Sequence, residues 1–454
     1  MTGAGATNSV VMGLGVTGLS CVRHLAARGD RLCVLDSRQA PPGLEELRRE
    51  HPGVELVLGG FPEAALEAAD LVAVSPGIPA QDPLLVRARA RGTDVAGDVE
   101  LFARVARGPV AGITGTNGKS TVTSLLGTLL REAGRDVAVG GNLGTPALDL
   151  LARAPRDGFV LELSSFQLEL VERIDLACAS ILNLSPDHLD RYGDLETYAA
   201  AKQRIYRHAA AAVFNADDVH THPPANFAGR RVAVRLGPPR DAAEWGVVTG
   251  RDGSLRIAGP GGFALAADGL PVAGRHNAFN VAAALAMAEV LGVAREVAAP
   301  GLAAWRPLPH RCALVGRAGT VRFVDDSKAT NVGACHAALD GLDTGGRDLV
   351  VILGGQGKGQ DFTLLREPLA RAARAVVLLG EDAETIARAV QGCCALERAA
   401  DVDEAVRLAH ALARPAGTVL LAPACASFDQ FRSYADRGER FVAAVDRLLR
   451  EGAT

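Results

Sequence analysis

Short apolar runs alternate with stretches of helical periodicity along most of the chain. Most of the runs are followed by Gly, Ser or Asp, which predicts buried strands. The predicted strands cover residues 9–12, 31–35, 56–58, 71–74, 110–114, 159–163, 179–184, 349–353, 375–379 and 418–421. Apolar positions from Val122 to Ala133 recur at helical spacing, and residues 19–27, 198–206 and 274–291 also predict helices. This alternation predicts an α/β fold with mainly parallel sheets.

Length and composition set limits on the kind of protein. A chain of 454 residues predicts about three domains, each able to bury its own core. The net charge is −4 without a basic run, so we expect no nucleic-acid partner. No export signal and no long apolar segment is visible, so we expect no membrane partner. The eight cysteines include no C-x-x-C pair, which favours reduced thiols in a cytoplasmic enzyme.

The stretch from Pro109 to Ala133 carries the strongest chemical signal. A predicted strand leads into Gly115-Thr116-Asn117-Gly118-Lys119-Ser120-Thr121, and a helix follows. Glycines let backbone amides approach phosphate oxygens, while the helix N-terminus and the lysine add positive charge. The serine hydroxyl is suited to bind Mg²⁺. Ile113 replaces the first glycine of the common phosphate-loop pattern, but the strand and helix predict a nucleoside triphosphate site.

A second glycine-rich turn lies near the N-terminus. The residues from Gly13 to Gly18 match G-x-G-x-x-G between a strand and a helix, and the next strand ends at Asp36. This pattern is typical of dinucleotide-binding domains, in which the acidic residue binds a ribose hydroxyl. Taken alone, it points to a nicotinamide-dependent oxidoreductase. The same turn also suits any other diphosphate, or a uracil or ribose edge.

Polar residues follow two predicted strands in the middle of the chain. Glu162 lies in an apolar strand, where a carboxylate is costly without a cation, so it is a candidate Mg²⁺ ligand. A core glutamate with polar partners is the alternative. Asp187-His188-Leu189-Asp190 follows the next strand, at the edge where open α/β sheets bind ligands. From the sequence around it, Lys202 is predicted to be an ordinary surface lysine.

These segments together resemble the Mur ligases, ATP-dependent amide-forming enzymes of peptidoglycan synthesis. The resemblance covers residues 9–442 in order, through segments 115–121, 162–168, 183–191, 276–280, 308–311, 326–331, 353–358 and 422–431. The last third and the N-terminal turn narrow it to the family members that add D-glutamate to UDP-N-acetylmuramoyl-L-alanine. The implied reaction proceeds through an acyl phosphate and a tetrahedral intermediate, releasing ADP and phosphate.

The resemblance implies three domains and a role in the cytoplasm, in cell-wall synthesis and hence in cell shape and division. Residues 1–97 form a Rossmann-like domain for the UDP substrate, 98–307 a P-loop ATPase domain, and 308–454 a Rossmann-like domain for the incoming amino acid. Residues 305–307 are a candidate hinge. We expect a monomer with small-molecule substrates.

The resemblance also implies a set of site residues. ATP contacts would come from residues 115–121 with Asn277, Asn280, Arg311 and Asp326. Two Mg²⁺ ions would be held by Ser120, Glu162, His188 and a carbamate on Lys202. The catalytic residues would be Lys119, Glu162, His188 and Lys202. The UDP substrate would contact Gly15, Val16, Thr17, Asp36, Ser37, Ser75, Gly77, Asn142 and Ser164.

The implied D-glutamate site lies in the last third of the chain. It would consist of His310, Lys328, Thr330, Lys358, Ser427, Phe428 and Tyr434. From the residues alone, solvated loop charges are the alternative for the two lysines. Two positions depart from the family pattern, since Gln356 stands where Asp is usual and Phe428 where Leu is common.

Two other classes of protein explain less of the sequence than a ligase does. An oxidoreductase would explain the N-terminal turn but would leave the phosphate loop, Glu162 and His188 without a role. A P-loop regulatory protein would explain the loop but not the segments 326–331 and 422–431.

Overall fold

Three β-sheets follow one another along the chain, and each consists mainly of parallel strands joined by helices. The structure is a computed structural model that describes residues 7–250, 254–267 and 274–451. The predicted fold class, α/β with three domains and mainly parallel sheets, is confirmed. The predicted domain boundaries stay predictions.

The first sheet has five parallel strands in the order β3-β2-β1-β4-β5. Its elements are β1 Asn8–Met12, α1 Val16–Arg28, β2 Arg31–Asp36, α2 Leu44–Glu50, β3 Glu55–Leu58, α3 Glu63–Glu67, β4 Leu71–Val74, α4 Pro83–Ala90 and β5 Asp94–Gly97, followed by α5 Asp98–Val105. The strand order reverses direction between β1 and β4. The glycine-rich turn after β1 and the loop after β4 therefore meet at the point where such sheets bind ligands.

The central sheet has nine strands in the order β14-β13-β12-β11-β10-β9-β6-β8-β7. Its elements are β6 Val110–Thr114, α6 Lys119–Glu132, β7 Val137–Gly141, α7 Ala147–Leu150, β8 Gly158–Glu162, α8 Ser165–Glu169, β9 Cys178–Ile181, α9 Leu189–Tyr192, α10 Leu195–Gln203, β10 Ala211–Asn215, β11 Arg230–Arg235, β12 Trp245–Thr249, β13 Leu255–Gly259, β14 Phe263–Ala266, α11 Arg275–Val290 and α12 Arg295–Ala298. Only β12–β13 and β13–β14 pair antiparallel among the described strands of this sheet.

The third sheet has six strands in the order β15-β16-β20-β17-β18-β19, with β15 antiparallel to β16. Its elements are β15 Ala313–Ala318, β16 Val321–Asp325, α13 Val332–Leu342, β17 Leu349–Gly354, α14 Arg366–Ala372, β18 Ala373–Leu379, α15 Ala383–Val390, β19 Ala395–Arg398, α16 Val402–Ala413, β20 Gly417–Leu421 and α17 Tyr434–Glu451. The loops after β17 and β20, which carry Lys358 and Ser427, leave neighbouring strands.

The first two sheets share part of one core, although each also has an apolar cluster of its own. A single apolar cluster runs from α1 through α5 to β8 and α8. Within it, the rings of Phe102 and Phe159 meet edge to face with their centres 5.0 Å apart. Residues of α5 bury their apolar side chains against both sheets, because this short helix lies between them. The clusters of the third sheet contain only residues from the last third of the chain.

Two predicted elements have bounds that differ from those expected. Strand β9 stops at Ile181 rather than at residue 184, because Asn183 turns to hydrogen bond with the loop after β6. Helix α10 begins at Leu195, where the Asp194 side chain caps it by accepting a 2.7 Å hydrogen bond from the Thr197 amide, and continues as a 3₁₀ turn after Gln203. The pattern of apolar residues predicts neither the turn at Asn183 nor the cap by Asp194.

The N-terminal glycine turn depends on close contact between backbones. A Cβ atom on Gly18 would lie 1.8 Å from the Gly13 carbonyl oxygen, so only glycine fits there. Ser75 Oγ donates a 2.8 Å hydrogen bond to that same carbonyl oxygen. The turn after β1 and the loop after β4 are thus held together.

All eight cysteines are free thiols. Within the described ranges, no helix is long and apolar enough to cross a membrane.

Candidate active site

The carboxyl ends of the central strands open into a cavity of about 390 Å³. Residues 116–121 line it on one side, and Arg311, Asp326, Lys328 and Thr330 approach from the third sheet. Its other predicted members are Glu162, His188, Lys202, Asn277, Asn280, Asn142, Ser164, Lys358, Ser427, Phe428 and Tyr434. The fold therefore brings the predicted ATP, metal and amino-acid residues to one place, with the exceptions of Gly115 and His310.

The loop after β6 has the geometry of a phosphate-binding loop. Gly115 and Gly118 adopt positive φ angles of 141° and 82°. Asn183 holds the loop from outside: its carbonyl oxygen accepts the Thr116 amide proton at 2.8 Å, and its Oδ1 accepts that of Asn117 at 2.9 Å. Helix α6 begins at Lys119, so its N-terminal amides face the cavity.

Lys119 folds back over the same loop. Its ammonium donates to the carbonyl oxygens of Gly115 and Thr116 at 3.0 and 2.8 Å. Burial lowers the pKa of this lysine, while the carboxylates of Glu162 and Asp187 act in the opposite direction. The residue thus places a half-buried ammonium at the loop, as phosphate binding requires.

Glu162 ends β8 with its side chain almost fully buried. One carboxylate oxygen accepts a 2.7 Å hydrogen bond from Asn142 Nδ2, and the other has no hydrogen-bond partner among the described residues. Burial raises the pKa of this carboxyl, but the charge of Lys119 together with Ser120, Asn142 and Lys328 outweighs burial, so the pKa is lowered overall. An ionised, unpartnered carboxylate oxygen beside a serine hydroxyl fits a hard cation such as Mg²⁺.

Lys202 is buried in α10 and is not a surface lysine. It is 2% exposed, and its Nζ donates a 3.2 Å hydrogen bond to Thr114 Oγ1. Burial first and the charge of Lys119 second lower its pKa well below the usual value for lysine. The neutral form of this amine is therefore easier to reach than that of an ordinary lysine.

His188 lies in the left-handed region with φ 54°, at the position just before the first residue of α9. Burial lowers the pKa of its imidazole to about 4. The ring is therefore neutral near pH 7 and can act as a ligand through a nitrogen lone pair.

No group of three or more His, Cys, Asp or Glu side chains is arranged as a metal site in residues 7–250, 254–267 and 274–451. The predicted Mg²⁺ ligands include only one carboxylate, that of Glu162, and one imidazole, that of His188. The remaining ligands would be a hydroxyl and a modified lysine.

Two further residues of the site lie in segments that the sequence singled out, but neither was given a role of its own there. Asp187 is 7% exposed, and its Oδ1 lies 3.7 Å from Lys358 Nζ of the third sheet. Asn331 exchanges amide hydrogen bonds with Asn117 at 3.2 Å and donates to Asp187 Oδ2 at 3.3 Å. These contacts join the phosphate loop directly to the last third of the chain.

The loops of the third sheet supply the other wall. Burial raises the pKa of Asp326 to about 6, with Arg311 acting in the opposite direction. The ammonium of Lys328 lies 4.1 Å from the centre of the Tyr434 ring, and burial lowers its pKa to about 8. Ser427 is buried beside the cavity, whereas Phe428 is 70% exposed.

His310 does not line the cavity. Its Nδ1 lies 2.6 Å from Asp325 Oδ2, and its ring packs against Gly438. Gln356 is exposed, and its backbone pairs with that of Ala426 between the loops carrying Lys358 and Ser427.

Seven of the predicted UDP-substrate residues lie on the first sheet and not on the cavity: Gly15, Val16, Thr17, Asp36, Ser37, Ser75 and Gly77. Asp36 already has partners there. Its carboxylate accepts the Leu14 amide proton at 2.7 Å and pairs with Arg38, and these hydrogen bonds lower its pKa to about 2. Asp36 thus holds the glycine-rich turn in shape.

The composition carries a signal that helps to identify the site. Only four of the 48 basic residues are lysines, namely Lys119, Lys202, Lys328 and Lys358. All four line the cavity, although they are far apart in sequence. Arginine supplies the other basic side chains of the chain. The scarcity of lysine is therefore a sequence signal against a surface role for Lys202.

Three family models match the chain in order. They describe a Mur ligase MurD-like N-terminal domain over residues 7–97, a Mur ligase middle domain over 113–288, and a Mur ligase glutamate ligase domain over 310–425. The chain belongs to the Mur ligase family.

Among curated relatives, the chain is similar to the UDP-N-acetylmuramoylalanine--D-glutamate ligases of Nitrosococcus oceani and Pseudomonas aeruginosa. The first is 47% identical over 98% of this chain and 97% of the relative, and the second is 46% identical over 97% and 98%. Among solved structures, MurF ligase from Thermotoga maritima in complex with ADP shares the fold. Its TM-score is 0.61 at 19% identity, over 98% of this chain and 96% of that one.

Proposed function

We propose that this protein is an ATP-dependent ligase that joins D-glutamate to UDP-N-acetylmuramoyl-L-alanine in peptidoglycan precursor synthesis. The observation that carries the proposal is the single cavity in which a phosphate loop faces Lys328, Lys358 and Ser427. Such a cavity can hold a nucleotide next to an anionic amino acid. The names of the relatives agree with it.

The residues of the chain account for the activation step. A carboxylate is a poor electrophile, so it must first be phosphorylated by ATP. Its attack on the γ-phosphate brings anions together, and Lys119 with the amides of the loop offsets their repulsion. Asn277, Asn280, Arg311 and Asp326 are proposed to hold the nucleotide.

The next step joins the amino acid. The amine of D-glutamate attacks the acyl phosphate, and the tetrahedral intermediate releases phosphate. Water would hydrolyse the acyl phosphate, so the cavity must exclude it. The contact between Asn117 and Asn331, which brings the third sheet onto the phosphate loop, supports such exclusion.

Ser120 and Glu162 are proposed to hold one Mg²⁺, and Glu162, His188 and carbamylated Lys202 a second. The unpartnered oxygen of Glu162 supports this assignment. When bound, Mg²⁺ would neutralise phosphate charge and polarise the transferred group.

The proposed activity requires three substrates together. We expect ATP, UDP-N-acetylmuramoyl-L-alanine and D-glutamate to give one phosphate for each amide bond formed, measured by phosphate release and mass spectrometry. L-glutamate serves as the control amino acid. Phosphate release that is independent of D-glutamate, with no amide product, would contradict the ligase assignment.

The first sheet is proposed to hold uridine diphosphate rather than a nicotinamide. Hydride transfer has no role in amide formation, whereas a UDP-linked substrate needs a binding site for its nucleotide. We expect UDP to bind in calorimetry and Gly15→Leu to weaken it at least about tenfold, because the position of this Cβ is open to incoming ligand. Micromolar binding of NAD that UDP cannot displace would refute the assignment.

A further inference from the structure

One arginine joins the loop after β4 to the central sheet beside the cavity. Arg191 Nη1 donates a 3.0 Å hydrogen bond to the carbonyl oxygen of Pro76. Its Nη2 donates to Glu169 Oε2 at 2.6 Å, at the end of α8. The side chain of Arg191 is only 12% exposed. A partly buried guanidinium with two fixed partners has one preferred position.

On one side, this contact leads to the glycine-rich turn. Pro76 follows Ser75, whose hydroxyl is bonded to the Gly13 carbonyl oxygen. A movement of the turn that carries Gly15 and Thr17 therefore moves the carbonyl oxygen to which Arg191 is bonded.

On the other side, the contact leads to His188. The guanidinium carbon of Arg191 lies 4.0 Å from the centre of the Phe166 ring. The Phe166 ring meets the His188 ring edge to face, with centres 4.8 Å apart. Pro76, Phe166 and His188 all line the cavity. Packed side chains of this kind transmit a displacement, because they leave no space to absorb it.

We propose that Arg191 is a positioning residue that couples occupation of the UDP site to the placement of His188. The inference rests on the proposed function, since it takes the turn after β1 as the nucleotide site. Binding of the UDP group would fix the loop after β4, and Arg191 and Phe166 would then hold His188 against the reacting end of the same substrate. Binding energy from the nucleotide would thus promote chemistry at the distant carboxylate.

The coupling is measured by comparing UDP-N-acetylmuramoyl-L-alanine with N-acetylmuramoyl-L-alanine, which lacks the nucleotide. In the wild type, the ratio of their kcat/KM values gives the advantage supplied by UDP. We expect this ratio to fall at least about fivefold in Arg191→Met, the lower end of usual coupling between sites. Phe166→Leu, which leaves the ion pair with Glu169 in place, should also lower the ratio.

The affinity for UDP alone separates coupling from nucleotide binding. It should stay within about twofold of wild type in both variants, by calorimetry. Arg173→Met is the matched control, because this exposed arginine pairs only with exposed Asp175 among the ion pairs of the described residues. An equal loss for both substrates would make Arg191 merely structural and overturn the proposal. A loss of UDP affinity as large as the fall in the ratio of the kcat/KM values would also overturn the proposal.

A measurement without turnover keeps the coupling distinct from the ligase assignment. UDP should slow hydrogen exchange of the amides of residues 188–192 in the wild type and not in Arg191→Met. If the wild type makes no amide product, the proposed function fails, while this exchange result still decides the coupling. Unchanged exchange on adding UDP would overturn it.

Discussion

Replacing Lys202 by alanine is expected to lower kcat at least about a hundredfold while leaving ATP affinity nearly unchanged. The proposed role of this lysine is a carbamate that supplies an anionic oxygen to Mg²⁺, and such an electrostatic contribution is worth at least this much. The buried side chain, its lowered pKa and its place on the cavity wall support the assignment. Carbon dioxide reacts with the neutral amine, so a lowered pKa increases the reactive fraction at neutral pH.

Two measurements separate this role from a structural one. Formate or acetate should partly restore turnover in Lys202→Ala, by occupying the position of the carbamate, and should not stimulate the wild type. Because the chain has only four lysines, ¹³C-labelled bicarbonate should give a carbamate signal that is readily assigned and absent in the variant. Thermal melting checks that the variant is folded. Full activity in Lys202→Ala would leave this lysine without a catalytic role.

Replacing Lys358 or Ser427 by alanine should raise the KM for D-glutamate at least about tenfold, with little change in the KM for ATP. A charge-assisted hydrogen bond to a carboxylate is worth about 1.5–3 kcal/mol, which corresponds to this factor or more. Both residues line the cavity on loops that leave neighbouring strands of the third sheet.

The two variants test the D-glutamate site in different ways. Lys358→Ala also removes the ion pair with Asp187 and leaves that carboxylate with fewer partners. Ser427→Ala leaves the ion pair intact, so it isolates the contact with the substrate. Arg388→Ala, an exposed charge on α15 of the same sheet, is the control. A normal D-glutamate KM in both variants would mean that the amino acid binds elsewhere.

Much of the local structure was predictable because it depends on neighbours in sequence. The phosphate-loop strand is found at residues 110–114 as predicted, and the helix with apolar positions from Val122 onward forms as α6. Strands buried on both faces read as apolar runs, and glycines mark the turns that need positive φ. The motifs also identified the family, since their order along the chain is itself specific.

The predictions were less accurate where an element depends on distant residues. Strand β9 ends early because Asn183 turns to hold the phosphate loop, a contact that the local pattern of apolar residues does not encode. The contacts of Asp36 likewise depend on the fold, since its carboxylate accepts hydrogen bonds from Leu14 and Arg38, while the ribose contact typical of the dinucleotide pattern stays a prediction.

The sequence by itself determined the fold class, the phosphate loop and the set of residue types that the chemistry needs. Only the tertiary structure decided that Asp187 faces Lys358, that Arg191 reaches Pro76, and that the first two sheets share a core. Each of these contacts joins segments that are far apart along the chain. Their geometry follows from how the sheets pack, and packing depends on the shape of whole surfaces rather than on any local pattern.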